Sequence, residues 1–234
     1  MEDHMNDLTP LSTDLEQATH ALGHVVKAIP GLGEAVYETV RLVWTDPIMR
    51  RRRKRNLRHE LAMAEEMIEG QKRLEEVSTT AAKQVLEPAM EEDREELQKL
   101  WSALIARMLV QKDTGITSSV IKIIKQLDPV DALVLDMYGC KETKESHAKV
   151  NHFGLRIEFE RRIGQADDAN ELILADSCQR LMELGCIKYH GLTPPSVLSG
   201  PYSPSIDTQI TTRGYLVWKL VQPPTKPSET SEQP

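Results

Sequence analysis

A chain of 234 residues is long enough to bury a core without disulfide staples. Its formal charge of −7 excludes a protein built throughout to neutralise nucleic-acid phosphates. Only two Phe, five Tyr and three Trp stand beside plentiful Leu, Ile, Val, Met and Ala, which disfavours a β-sandwich and favours helices packed on helices.

Residues 1–17 are polar and read as a flexible N-terminus. Ala18, Ala21, Leu22, Val25, Val26 and Ile29 then keep helical spacing up to the turn Pro30-Gly31-Leu32-Gly33. A short helix carrying Val36, Tyr37, Val40, Val43 and Trp44 ends near Asp46-Pro47, where Asp46 can cap the next helix with Pro47 at its first position. That helix is long, and Leu57, Leu61, Ala64, Ile68 and Leu74 form one apolar stripe on an otherwise charged surface. The acidic stretch Glu91-Glu92-Asp93 opens the clearest helix, in which Leu97, Leu100, Trp101, Leu104, Ile105, Met108 and Leu109 match an amphipathic pattern at every step. After Gly115 a helix through Val120, Ile121, Ile124 and Leu127 stops at Asp128-Pro129, which supplies the cap and first turn of another through Leu133, Val134 and Met137.

The last third has a different rhythm. A helix begins near Asp167-Asp168, runs through Leu172, Ile173, Leu181 and Leu184, and is stopped by Gly185. The short β-like runs Cys186 to Tyr189 and Ile206 to Thr211 flank a Pro/Ser/Gly loop, after which Thr212 can cap a final helix with Tyr215, Leu216, Trp218 and Leu220. The fold class is therefore mainly α. A helical region over residues 18–115, with amphipathic and polybasic segments, precedes a winged-helix-like domain with a small β-hairpin over residues 116–222, and residues 223–234 form a disordered tail.

Several segments resemble a known family. The acidic run followed by Leu97-x-x-Leu100-Trp101-Ser102-Ala103-Leu104-Ile105-Ala106 is similar to the signature of the Abi-alpha family, named for abortive infection. Leu127-Asp128-Pro129-Val130-Asp131-Ala132 resembles the family's Leu-x-Pro-x-Asp-Ala segment, Leu181-Met182-Glu183-Leu184-Gly185 its Leu-x-x-Leu-Gly helix end, and Ile210-Thr211-Thr212-Arg213-Gly214 its closing turn. Ile210 stands where the family more often has Leu, and Ser102 where it has Ala. The resemblance spans roughly residues 91–220 and implies a bacterial phage-defence role without specifying a reaction.

No residue pattern points to catalysis, a cofactor, a metal or a small-molecule substrate. His20 and His24 lie at i, i+4, yet no Cys or acid at ligand spacing completes a site. Cys140, Cys178 and Cys186 include no CxxC pair; Cys178 and Cys186 read as core or near-surface thiols, and with no leader-like start the expected compartment is the reducing cytoplasm. Glu91, Glu92, Asp93, Glu95 and Glu96 lack alternating apolar residues that would desolvate a general acid or base, so they read as a solvated first turn. Gly31-Leu32-Gly33 is only GxG and follows no strand.

The unusual local feature is charge. Residues 1–49 carry −6, residues 50–58 carry +7 and the remainder −8. The run Arg50, Arg51, Arg52, Arg53, Lys54, Arg55 goes all the way round a helix, so every side must be exposed or meet acids. Following the apolar segment with Val36, Val40, Val43 and Trp44, it fits a peripheral contact with the anionic inner-membrane surface; pairing with acidic helices of the same or a neighbouring chain fits equally. Residues 20–44 are too charged to span a bilayer. Nucleic acid ranks behind both, because the candidate recognition helix Glu171 to Leu184 holds three acids against Arg180, and residues 190–212 contain no Lys or Arg. The expected protein is a non-enzymatic antiviral factor acting through a protein partner or self-association. A winged-helix nucleic-acid-binding regulator and a membrane-perturbing effector using residues 18–49 are the alternatives.

Overall fold

The structure is a computed structural model of the chain, and it describes residues 47–75, 77–111, 114–142, 152–164, 168–189 and 208–225. The helices expected over residues 18–29 and 36–44, the turn between them, the expected cap Asp46, residues 190–207 and the tail beyond residue 225 lie outside the described residues. The rest is mainly helical: α1 Pro47–Met67, α2 Thr79–Glu91, α3 Glu95–Val110, α4 Ser118–Ile124, α5 Pro129–Glu142, α6 His152–Ile163 and α7 Asp168–Glu183. Strands β1 Ile187–Tyr189 and β2 Thr208–Ile210 follow, and then α8 Thr212–Leu220. The chain divides into two compact units, one within residues 1–92, 101–114 and 223–234, the other residues 93–100 and 115–222.

In the first unit, Pro47 occupies the first helical position of α1, where its missing N–H removes nothing. Leu57, Leu61, Ala64 and Ile68 form the expected buried stripe, but Leu74 does not continue it. The helix ends at Met67, the chain turns at Gly70, and the Leu74 N–H donates to the Leu109 carbonyl at 2.8 Å. α1 packs on α2, a helix without a counterpart in the sequence reading. Ser78 caps α2 by accepting from the Ala81 N–H, and Ala82, Val85, Leu86, Ala89 and Met90 are buried. Pro88 sits inside this helix, where it gives no N–H to the carbonyl four residues earlier, and α2 ends at Glu91. The acidic stretch is therefore divided: Glu91 closes α2, and α3 starts at Glu95 with Glu95 and Glu96 at its positive N-terminal end. Trp101, Leu104, Ile105, Met108 and Leu109 of α3 are buried as the periodicity requires.

In the second unit, Thr117 caps α4 through the Val120 N–H, and Pro129 begins α5 as expected. α5 packs on α7 and α8. Gly139 lets the Trp218 indole lie directly on the α5 backbone, since a Cβ there would stand 2.1 Å from the ring. The Tyr138 hydroxyl is hydrogen-bonded to Thr208 Oγ1, tying α5 to β2. Gly185, at φ +70°, ends α7 in the left-handed conformation that glycine tolerates best. The strands pair antiparallel with Ile187 opposite Ile210 and Tyr189 opposite Thr208.

Two further expectations are corrected here. Thr211, not Thr212, caps α8: its hydroxyl accepts from the Gly214 N–H at 3.0 Å and donates to the Gly185 carbonyl at 2.6 Å, while Thr212 is already helical. Leu172 and Ile173 are exposed on α7, whose buried side is Asn170, Leu174, Ser177, Cys178 and Leu181.

Candidate polyanion-contact face

Helical geometry sorts the basic run of α1 by direction. The buried side chains Leu57, Glu60, Leu61 and Ala64 define the inward face, and Arg53 lies seven residues before Glu60 on that same side. Arg53 consequently turns to the end of α2, where it meets Glu91 Oε1 at 2.7 Å. Asn56 is buried beside it and donates to the Met90 and Glu92 carbonyls at 3.2 and 2.8 Å, satisfying acceptors that the end of α2 leaves open. Arg52 Nη2 reaches the Glu91 carbonyl at 3.5 Å, too long for a strong bond.

Arg51, Arg55 and Arg58 lie on the outward face, spaced four and three residues apart, and all three are exposed. They have no ion-pair partner among the described residues. Partial burial, reinforced by the Arg58 guanidinium, lowers the affinity of the Lys54 amine for its proton. The basic residues of the run thus differ in their surroundings. Arg53 is occupied within the fold, Arg52 leans toward α2, and Arg58, outside the expected run, extends the cationic stripe. Its signal was its place at i+7 from Arg51 and i+3 from Arg55. Arg50 is in α1, but its side chain lies outside the described residues, as do Val36, Val40, Val43 and Trp44.

A second buried polar residue of α1 joins Asn56 in lacking a distinctive sequence signal. Glu60 is fully buried, with neither carboxylate oxygen hydrogen-bonded. Burial, with a smaller contribution from the nearby Glu92 charge, pushes its carboxyl up to about 9, so it is protonated at neutral pH. The only clue was its position, three residues after Leu57 and four before Ala64 on the inward face.

The second unit directs its charges differently. Asp131, fully buried on α5, accepts from Ser177 Oγ at 2.6 Å, from Arg180 at 3.0–3.2 Å and from the Asp128 N–H at 2.9 Å. Arg180 is the single basic residue of α7, and it also meets Asp176 at 2.5 Å. It is turned toward acids of its own unit. Asp136 forms a second cluster, accepting from Arg162 at 2.7 Å and from the Trp218 indole at 2.9 Å. Burial would raise the Asp136 carboxyl, but these bonds outweigh it and hold the group below the usual carboxylate range.

Cys178 and Cys186 are buried, and burial pushes each thiol up to about 11, away from thiolate chemistry. His20 and His24 are outside the described residues, among which no group of three or more His, Cys, Asp or Glu could hold a metal. A cleft of about 750 Å³ in the first unit is lined by Lys72, Ser78, Met108 and Gln111 among others. A smaller one, about 530 Å³, lies beside Lys188, Thr211 and Arg213 in the second. No described helix is long and apolar enough to cross a membrane.

Residues 49–213, more than half the chain, match the family model described as abortive infection alpha. The chain belongs to the abortive infection alpha family. The match opens inside α1, just before the cationic stripe, and closes at Arg213 in the first turn of α8. The segments that resembled the family are structural in this abortive infection alpha chain. Leu97, Trp101, Leu104 and Ile105 are core, Asp131 locks α5 to α7, and Thr211 joins the end of α7 to the start of α8. Membership suggests a part in abortive-infection defence. No curated protein and no solved structure matches the chain.

Proposed function

We propose that this abortive infection alpha protein defends its host cell without catalysis, by docking the outward cationic face of α1 on an acidic protein surface. The carrying observation is that Arg51, Arg55 and Arg58 are exposed together with no ion-pair partner among the described residues. Three adjacent like charges raise the local potential and disfavour one another, so an opposing acidic surface relieves repulsion as well as adding attraction. The exposed acids Glu95 and Glu96 stand in the first turn of α3, which favours a dipole-stabilising role over acid/base chemistry.

A contact with anionic lipid headgroups is the second reading, favoured by the apolar residues Val36, Val40, Val43 and Trp44 that precede α1 in sequence. The order helix, strand, strand, helix from α7 to α8 is compatible with a winged helix. We read that unit as an interaction module in preference to a DNA reader, because Arg180 is engaged by Asp131 and Asp176 and the other charged residues of α7 are all acids.

Binding of labelled full-length protein to poly-glutamate, to phosphatidylglycerol vesicles and to duplex DNA at several salt concentrations tests the reading. Poly-glutamate binding that weakens with salt, and at least tenfold in the triple variant Arg51→Glu, Arg55→Glu, Arg58→Glu, is expected. Preference for the vesicles would replace the protein partner by the membrane. DNA binding that survives the triple variant would overturn both.

A further inference from the structure

The outer side of α6 and α7 has an apolar surface that the α1 reading leaves unexplained. Leu172 is 74% exposed, Ile157 52% and Ile173 44%, although each belongs to a residue type that is ordinarily buried. The two helices pack on each other and are bridged by Arg156 and Glu171 at 2.6 Å. Ile157 stands two residues from the buried Leu155 and Phe159, and Leu172 two residues from the buried Asn170 and Leu174, so each lies about half a turn round its helix from the core positions and points away from the core. Their inward partners, Leu155 and Phe159 on α6 and Leu174 and Cys178 on α7, already fill the core, so no turn of either helix could bury both sets.

We propose that this face is a self-association surface whose occupant is the same face of a second copy. Charges around the apolar centre select that occupant. Arg161 on α6 is exposed, as are Glu183 and the outer side of the Arg180-paired Asp176 on α7. The acids oppose a nucleic acid or anionic membrane, and Arg161 opposes a cationic ligand. A twofold axis instead sets Arg161 of one copy against the acids of the other, which is the self-complementarity an isologous dimer needs. The present partner of Arg161 is Glu158, three residues earlier, which keeps a second partner in Arg162 when Arg161 turns to another copy. Apolar centre and charged rim together have the composition of a protein interface.

The test is sedimentation equilibrium of the full chain up to about 200 µM, in low salt and in about 0.5 M NaCl. A dimer is expected in both, because apolar burial survives screening. Leu172→Glu and Ile157→Glu each weaken it at least tenfold, and Leu172→Ala weakens it less, with circular dichroism and melting temperature unchanged. The triple α1 variant keeps the dimer, so failure of this proposal is distinguishable from failure of the basic-face reading. A wild-type monomer throughout the range, or well-folded glutamate variants that dimerise as wild type does, overturns it.

Discussion

Replacing Glu60 by Gln removes the one buried acid without a hydrogen-bond partner among the described residues and keeps nearly the same shape. The folded carboxyl binds its proton up to about 9, against an ordinary value of 4.5, so between those limits the folded chain holds a proton that the unfolded chain has released. Stability then falls as pH rises, by about 1.4 kcal/mol for each pH unit. By pH 7 the accumulated loss is about 3 kcal/mol, a large part of the stability of a typical domain. The wild type should be most stable near pH 5 and lose stability steadily toward pH 9, where the loss levels off. Glu60→Gln should match it within about 1 kcal/mol at pH 5 and exceed it by roughly 2–3 kcal/mol at pH 7, allowing for the extra buried amide donors. Urea unfolding of both proteins at pH 5, 7 and 8.5 measures this directly. Parallel loss of stability by the two proteins over that range would refute the reasoning, because the slope would then belong to other groups.

Asp131→Ala leaves Arg180 and Ser177 without their shared acceptor and should cost about 3 kcal/mol in the same urea assay, reduced from a fully buried pair because Arg180 is partly exposed. Gly139→Ala drives a methyl group into the Trp218 ring, so a loss of about 2 kcal/mol or more is expected, accompanied by a shift in tryptophan emission. Asn56→Ala uncaps the Met90 and Glu92 carbonyls and should lower the melting midpoint by the equivalent of about 1–2 kcal/mol. The triple glutamate variant of Arg51, Arg55 and Arg58 should unfold within about 0.5 kcal/mol of wild type, since those side chains are exposed.

What the sequence disclosed depended on contrast between apolar and polar positions. α3 and the start of α5 were legible because Leu97 to Leu109 repeat without a break and Pro129 marks a first turn. α2 escaped because two of its buried positions are Ala82 and Ala89 and because Pro88 argues against a helix where one exists. α6 escaped for the opposite reason: Ile157 and Ile163 face solvent and blur the period that Leu155 and Phe159 would otherwise show. The basic run was visible as composition, but its division into an engaged Arg53 and an outward Arg51, Arg55 and Arg58 follows from the packing of α1 on α2. Asn56 and Glu60 were hidden because polar residues at core positions have no distinctive sequence pattern.

If the outward face of α1 carries the defence function, reversing its charge should abolish defence and preserving its charge should not. Plaque counts on cells expressing wild type, the triple glutamate variant, or the charge-preserving Arg51→Lys, Arg55→Lys, Arg58→Lys variant test it, with protein levels matched. A phage restricted by wild type should plate freely on cells with the glutamate variant and still be restricted by the lysine variant. Full restriction by the folded glutamate variant would contradict it.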